Sequence, residues 1–303
     1  MRLDEPEAAV MTVSLDDLNA LDAEGVVAAL DGVYEHAPWV AWEAAARRPF
    51  ATVAALFAAL EAAVLGAHEE TRRRLLINHP PLGRRKGGSV PVAEASASEH
   101  AGAGLDDLEA QEFDRYAALN AAYQSRFGFP FVLCIRRHGK ASILRQFERR
   151  LDGAPAEELA TGIAEVNRIA ALRLAERMTG PGPLARHGRL STHVLDTAAG
   201  RPAAGVRIEL MELGAGAPRL IADAVTNADG RVEGGLIAGR PVPIATYELL
   251  FHVGAHFRAS GDGGGDPAFL DVIPVRFGVS EPEGTYHVPL TVSPFAYATY
   301  RGS

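Results

Sequence analysis

Cysteine is nearly absent from this sequence, which has Cys134 alone among 303 residues. A single thiol excludes an intramolecular disulfide and a zinc site built from several cysteines. Long apolar runs are also missing, since no stretch of about 18 apolar residues could form a membrane span. The first residues, Met1–Glu5, are acidic and do not resemble a signal peptide. We therefore predict a cytoplasmic protein without a membrane segment.

Lysine is scarce as well. The net charge is −8, and Lys86 and Lys140 are the only lysines. Both halves of the chain carry more acidic than basic residues, which argues against nucleic-acid binding. Anionic ligands would have to be held by individual arginines. With 48% hydrophobic and 22% charged residues, the composition is that of a folded protein, and the length suits two domains.

A run of proline and glycine, Thr179-Gly180-Pro181-Gly182-Pro183, separates two different sequence patterns. Proline lacks a backbone donor and has a fixed φ, so neither a helix nor a strand can continue through this run. We predict a helical domain over residues 1–178, a linker over 179–188 and a strand-rich domain over 189–303.

The first half has the periodicity of helices. Ser14, with Asp17 three residues later, predicts a helix N-cap, and one long helix is expected from about Ala51 to Ile77. The last helix, from about Pro155 to Met178, has an apolar face that ends in Arg173. A buried arginine must either pair with a carboxylate or hold a ligand, and the pattern leaves both readings open.

His79 precedes a proline at a predicted helix end. Because the residue before proline is disfavoured in the α region, we expect its ring to be free to point into a cleft. The alternative is that this histidine caps helix carbonyls. We interpret Tyr34-Glu35-His36 as a helix surface with one packed aromatic residue and assign it no catalytic role.

In the second half, apolar and polar residues alternate as in strands. Strands are predicted around residues 189–196, 206–211, 247–253, 269–279 and 286–292. A tight turn at 226–230 places Arg231 immediately after it. Short strands at this spacing indicate a β-sandwich. His193 and His287 lie on strands, where histidines are more often structural than catalytic, and nothing in the spacing favours His252 or His256 as a third zinc ligand.

The first half resembles the OHCU (2-oxo-4-hydroxy-4-carboxy-5-ureidoimidazoline) decarboxylases, all-helical enzymes of urate breakdown. The resemblance rests on the segments around residues 14–19, 34–40, 79–80, 98–99, 126–132 and 165–174. It implies that His79 and Glu99 handle protons, that Arg173 binds the substrate, and that neither a metal nor an organic cofactor takes part.

The second half resembles 5-hydroxyisourate hydrolase, the enzymatic branch of the transthyretin family. The matching segments are Leu190–Thr197, Thr226–Arg231, Tyr286–Leu290 and the terminal Tyr300-Arg301-Gly302-Ser303. The resemblance implies metal-free hydrolysis with an active site containing His193, Arg231, His287 and Ser303, beside which lie Tyr300 and Arg301. Either histidine could activate water. Family members form tetramers with sites at a subunit interface, so a homo-oligomer is expected.

The two resemblances support each other, because the product of one reaction is the substrate of the other. We predict a multidomain chain, an all-α domain followed by an all-β transthyretin-like sandwich, that acts on small-molecule ureides. One alternative is a decarboxylase fused to a non-catalytic transthyretin-like binding domain, which would have no need of the terminal motif. Another is a scaffold with two inactive sites, which predicts that catalytic residues are lost.

Overall fold

The computed structural model describes residues 12–83, 99, 103, 105, 108–185, 187–214, 216–261, 265 and 267–302. Its contacts divide the chain into two compact units. The first combines Met1–Cys134 with Gln146–Ala185, and the second combines Ile135–Arg145 with Arg186–Ser303. Helices dominate the first unit and strands the second, so the chain is multidomain, with a helical N-terminal region and a strand-rich C-terminal region.

The helical part of the chain begins with a short strand, β1 (Val13–Ser14), which pairs in parallel with β2 (Met178–Thr179). Between them lie α1 (Leu15–Ala20), α2 (Ala23–Ala29), α3 (Pro38–Ala45), α4 (Val53–Gly66), α5 (Glu69–Ile77), α6 (Ala110–Phe127), a 3-10 turn (Ile135–Arg137), α7 (Lys140–Leu151) and α8 (Pro155–Arg177).

Capping side chains decide where several of these helices begin. Ser14 caps α1 as predicted, because its hydroxyl accepts the N–H of Asp17 at 3.1 Å. Asp22 caps α2 in the same way, accepting the N–H of Gly25 at 2.7 Å. The single helix expected from 51 to 77 is instead two helices, α4 and α5. Gly66, a poor helix former, ends the first of them, and the following Ala67 is extended.

The core of the first unit is built around α8, whose buried face includes Leu159, Ile163 and Val166. Residues 128–134 cross this core without regular helix or strand, and their aromatic rings pack on Tyr123. Its ring centroid lies 5.3 Å from that of Phe131. The segment is tied to α8 by Cys134, whose N–H donates to Oε2 of Glu165 at 2.9 Å, and α8 carries Arg173 near its C-terminal end.

The second unit contains two four-stranded sheets and a two-stranded pair. One sheet has the order β7-β6-β8-β9 and the other β12-β11-β4-β5, while β10 pairs in parallel with β3. The strands are β3 (Arg189–Ser191), β4 (Val194–Asp196), β5 (Arg201–Pro202), β6 (Arg207–Leu213), β7 (Arg219–Val225), β8 (Ala245–His252), β9 (Val272–Val279), β10 (Thr285–His287), β11 (Leu290–Ser293) and β12 (Ala296–Thr299), with helix α9 (Val253–Ser260) after β8. Alternating residues of both sheets form one buried core.

Two strands that the alternation predicts as continuous are interrupted. The segment 189–196 divides into β3 and β4 around Thr192 and His193, and the segment 286–292 divides into β10 and β11 at Val288 and Pro289. Proline has no N–H to donate to a sheet, which accounts for the second interruption. The interruptions lie beside His193 and His287, the two histidines of interest. Val253, expected to continue β8, instead begins α9.

The proline-glycine run is partly packed on the first unit. Val53 donates its N–H to the carbonyl of Pro181 at 2.9 Å, and Ala54 donates to Gly182 at 3.1 Å. These N–H groups belong to the first turn of α4, which has no intrahelical partners for them. In the part of the chain that the structure describes, no helix is both long enough and apolar enough to cross a membrane.

Candidate active sites

Arg173 is the centre of the candidate site in the first unit. Its side chain is only 5% exposed and is held by Glu99 through two hydrogen bonds. Nε donates to Oε1 at 2.9 Å, and Nη2 donates to Oε2 at 3.0 Å. This side-on bidentate pair is the geometry in which a guanidinium binds a carboxylate most strongly. The structure therefore brings together two of the residues that the sequence predicts for this site.

Glu35 lies on the other side of the same guanidinium. Its Oε2 is 3.4 Å from Nη1 and 3.5 Å from Nη2 of Arg173, and Nη1 also donates to the carbonyl of Gly32 at 3.2 Å. The carboxylate is buried. The interpretation of residues 34–36 as a helix surface was wrong, because they form a turn between α2 and α3 that directs Glu35 inward. In this turn Gly32 has a φ of +74° and His36 a φ of +56°.

His79 lies two residues after the end of α5 and is anchored to its last turn. Its N–H donates to Leu76 at 3.0 Å, and its ring Nδ1 lies 2.8 Å from the carbonyl of Leu75. Because a carbonyl can only accept, Nδ1 carries a proton and Nε2 is left as the titrating nitrogen. The ring is buried, so the expectation of a ring free in a cleft was wrong, and the capping alternative describes the contact correctly.

The charge state of His79 is set by its surroundings. Burial lowers the pKa of His79, while the Leu75 carbonyl and the negative charge of Glu35 act in the opposite direction. Arg173 and His36 lower it further. The net direction is downward, so the ring is neutral at neutral pH. His79, Glu35 and Arg173 thus share one electrostatic environment in the first unit.

The candidate site in the second unit begins with His193 and Arg231. The two residues form an isolated β-bridge, and Val194 donates its N–H to Gly230 at 2.8 Å. The predicted turn is present: the side-chain oxygen of Asn227 accepts the N–H groups of Asp229 and Arg231, each at 3.0 Å. Gly230 has a φ of +69°, and a Cβ there would lie 2.3 Å from the carbonyl oxygen of Val194, so only glycine fits.

His287 is the second histidine of this site, and its backbone is paired on both sides. β10 aligns it with Ser191, and its carbonyl accepts the N–H of Gly302 at 2.8 Å. The hydroxyl of Ser191 lies 3.0 Å from Nδ1 of the imidazole. Ser191 was not singled out from the sequence, although the parallel register of β3 and β10 makes this contact possible. Ser303 lies outside the described residues.

Both histidines have lowered pKa values. Burial is the largest cause for each, followed by the positive charge of Arg231. His193 and Arg189 lower the pKa of His287 further, whereas a backbone hydrogen bond to Ser191 opposes the shift. Nε2 of His193 is buried and has no hydrogen-bond partner in the described structure. Such an atom calls for a polar group of a ligand or water. Neutral imidazoles are able to accept a proton from water.

The remaining predicted residues lie toward the C-terminus. Tyr300 is 60% exposed, and the guanidinium of Arg301 stacks over the ring of Tyr286 at 4.9 Å. His252 and His256 are paired with different carboxylates, Glu209 at 2.6 Å and Asp196 at 3.0 Å.

Comparison with known proteins divides the chain in the same order. Residues 19–175 match the model of the OHCU decarboxylase family, and residues 190–302 match that of the HIUase/transthyretin family. A 5-hydroxyisourate hydrolase 2 of Rhizobium meliloti is 52% identical over 120 residues, which are 40% of this chain and 100% of that protein. An OHCU decarboxylase of Haloferax volcanii is 40% identical over 167 residues, 55% of this chain and 97% of that protein.

A solved structure of an (S)-allantoin synthase extends over both regions. It covers 96% of this chain and 100% of its own at 34% identity, with a TM-score of 0.48. The two family models do not overlap, and each relative is covered almost completely by one part of the chain. The chain therefore belongs to the OHCU decarboxylase family in its N-terminal part and to the HIUase/transthyretin family in its C-terminal part.

Proposed function

We propose that this chain is a bifunctional enzyme of urate breakdown. The C-terminal part hydrolyses 5-hydroxyisourate to OHCU, and the N-terminal part decarboxylates OHCU to (S)-allantoin. The proposal is supported by the presence of both families in one chain and by a polar cluster in each part. The observation that carries it is that each cluster places histidine beside an arginine whose positive charge helps to lower the pKa of the histidine.

In the decarboxylation, a C–C bond breaks and carbon dioxide leaves, so its electron pair stays on the ring carbon and must be protonated. Arg173 holds the substrate and neutralises its negative charge by bidentate hydrogen bonds. Glu99 occupies those donors in the absence of substrate, so substrate binding exchanges one carboxylate for another. His79, neutral at rest, takes up the proton of the substrate hydroxyl at Nε2 and, with Glu99, delivers a proton to that carbon, where a bond to hydrogen replaces the bond to carbon dioxide.

In the hydrolysis, one histidine takes a proton from water as the hydroxide adds to the acyl carbon of 5-hydroxyisourate. The ring C–N bond breaks, and the proton passes to the departing nitrogen. His193 and His287 are the candidates for this base, and both are neutral before reaction. Arg231 orients the substrate and stabilises the developing oxyanion, with Tyr300, Arg301 and Ser303 as the further proposed contacts.

We assign residues 1–178 to the decarboxylase domain, 179–188 to the linker and 189–303 to the hydrolase domain. The hydrolase part is proposed to assemble as a tetramer in the cytoplasm. Large exposed side chains on and beside β12 support an interface there, with Phe295 69% and Tyr297 46% exposed. Neither reaction is proposed to use a metal or an organic cofactor, and the substrates are small ureides.

The alternative of a decarboxylase joined to a transthyretin-like carrier differs in one measurable way. Urate oxidase added to urate generates 5-hydroxyisourate in solution, and its ultraviolet absorbance and the circular dichroism of the product can be followed. The bifunctional enzyme accelerates the loss of both 5-hydroxyisourate and OHCU and produces optically active allantoin. A carrier leaves 5-hydroxyisourate to decay at its rate in buffer.

A further inference from the structure

The guanidinium of Arg173 is shared by two carboxylates in different settings. Glu99 occupies the Nε and Nη2 edge at 2.9 and 3.0 Å, and its side chain is 12% exposed. Glu35 faces the Nη1 and Nη2 edge and is 4% exposed. Since Nε, Nη1 and Nη2 all donate to protein acceptors, an incoming substrate carboxylate must replace one of them. The side-on edge held by the less buried Glu99 is the one it can reach.

Replacement of Glu99 would leave a buried cation that still needs compensation. Arg173 is only 5% exposed, and an uncompensated charge at such a position is very unfavourable. Glu35 and the carbonyl of Gly32 bind Nη1, while Glu99 binds Nε and Nη2, so the contacts with Nη1 need not break when Glu99 is replaced. We propose that Glu35 is a positioning residue for the decarboxylation, a fixed counter-charge that holds Arg173 in place while Glu99 and the substrate exchange.

The turn that carries Glu35 supports this role. His36 has a φ of +56°, a conformation that residues other than glycine seldom adopt and that costs free energy. The strained residue directly follows Glu35, and its Nε2 lies 3.8 Å from Oε1 of Glu35. Gly32, at a φ of +74° on the other side of the turn, presents its carbonyl to Arg173. The backbone thus places both fixed acceptors on the same edge of the guanidinium.

The negative charge of Glu35 also acts on His79, so the proposal predicts a change in the pH profile of decarboxylation. The groups that act on His79 are the carbonyl of Leu75, the carboxylate of Glu35 and the charges of Arg173 and His36. Glu35 is the negative charge among them. Removing that charge while keeping the shape of the side chain should lower the pKa of His79 further and move the decarboxylation pH profile toward lower pH.

The inference rests on the proposed decarboxylation and is tested with Glu35→Gln in the full chain, with OHCU generated from urate as substrate. We expect at least a tenfold loss of kcat/KM, mainly through a higher KM, and an acid limb at lower pH. Glu35→Asp keeps the charge and should keep the position of the acid limb. Hydrolysis of 5-hydroxyisourate by the same molecules should be unchanged.

Glu158→Gln is the matched control, because Glu158 is equally buried and pairs with Arg150 at 2.9 Å away from this site. It should leave kcat/KM within about twofold and the pH profile unmoved. In an Arg173→Gln background, Glu35→Gln should cause no further loss, since the two residues act as a unit.

Three results would overturn the inference. They are a kcat/KM of Glu35→Gln within twofold of the unmodified chain, an acid limb at the same pH in both, or a double variant whose loss of kcat/KM is the product of the losses of Glu35→Gln and Arg173→Gln. Circular dichroism shows whether Glu35→Gln unfolds the helical unit. If it does, the kinetics of Glu35→Asp and Arg173→Gln are compared with those of the unmodified chain instead. Absence of decarboxylation by the unmodified chain would instead overturn the proposed function, and the inference with it.

Discussion

At the scale of single residues, each candidate site holds a histidine ring through a contact at its Nδ1 atom. In the first unit, the carbonyl of Leu75 binds Nδ1 of His79. In the second, the hydroxyl of Ser191 lies 3.0 Å from Nδ1 of His287. The carbonyl fixes the proton of His79 on Nδ1, whereas the hydroxyl, which can donate or accept, holds the orientation of the His287 ring.

Ser191→Ala tests this contact in the hydrolase site. Loss of the hydroxyl leaves the His287 ring free to rotate, so hydrolysis should slow about tenfold, a loss of about 1.4 kcal/mol in transition-state stabilisation. Initial rates of 5-hydroxyisourate decay measure the effect. Ser191→Thr, which keeps a hydroxyl, should stay within about threefold. Equal rates for the alanine and threonine variants would contradict the role of the hydroxyl.

The lowered pKa values of His193 and His287 predict the pH dependence of hydrolysis. Each ring is neutral above its folded pKa, which lies below the ordinary value of about 6.5. Hydrolysis should therefore fall to half of its full rate only below pH 6.5, as the base becomes protonated. The profile of kcat/KM against pH measures this. An acid limb centred above pH 6.5 would show that burial and Arg231 do not control these residues.

The lowered pKa values of His193 and His287 also make the free energy of unfolding depend on pH. Because the unfolded histidines bind protons more readily than the folded ones, acidification below about pH 6.5 favours the unfolded state. The contribution of these two residues to folding is thus lost as the pH falls, and it is recovered at neutral pH. Thermal unfolding followed by circular dichroism across this range should show the decrease, and His193→Gln should reduce it.

At the scale of elements, turns between strands place the hydrolase residues, and one glycine makes the decisive turn possible. A Cβ at Gly230 would lie 2.3 Å from the carbonyl oxygen of Val194. Gly230→Ala should therefore cost about 2–4 kcal/mol, of which positive φ accounts for about 1 kcal/mol and the clash for the rest. Hydrolysis should fall with it because Arg231 follows directly.

Gly200→Ala provides the matched control for this turn. Gly200 has a similar φ of +66°, but a Cβ there would meet no atom within 4 Å. Its cost should be limited to about 1 kcal/mol from the backbone conformation. Denaturant titration compares the two variants. Equal losses of stability would show that the approach to Val194 is unimportant.

Local patterns predict helices and strands better than they predict the contacts between them. The cap at Ser14 and the helix over α8 follow from local rules and are confirmed. The turn that carries Glu35 could not be predicted in this way. The inward direction of Glu35 depends on the positive φ of His36, and nothing in the sequence around His36 predicts that conformation. A buried arginine required a counter-charge, but periodicity could not identify which carboxylate supplies it.

The strand interruptions in the second half also could not be predicted from the local pattern. The alternation of apolar residues runs through both interruptions, because it records which face is buried and not which strand is the partner. Only the pairing of β3 with β10 and of β4 with β11 reveals that the chain changes partners at His193. The contact between Ser191 and His287 is likewise a consequence of register.

At the scale of the whole molecule, the residues proposed for the two activities form separate sets, so the activities should be separable by mutation. His79→Gln should reduce decarboxylation at least 100-fold, as expected for loss of a group that transfers protons, and should leave hydrolysis unchanged. OHCU would then accumulate. Its slow spontaneous decay, followed by absorbance, distinguishes this from inactivity of the whole chain. Loss of both activities would indicate that the variant does not fold.

The most direct test of the account is the time course of urate oxidation products with the unmodified chain present. Urate, urate oxidase and this protein are mixed, and ultraviolet absorbance and circular dichroism are recorded together. We expect 5-hydroxyisourate and OHCU both to disappear faster than in buffer, while the dichroism of (S)-allantoin rises. Decay of 5-hydroxyisourate at its uncatalysed rate, or formation of allantoin without optical activity, would contradict it.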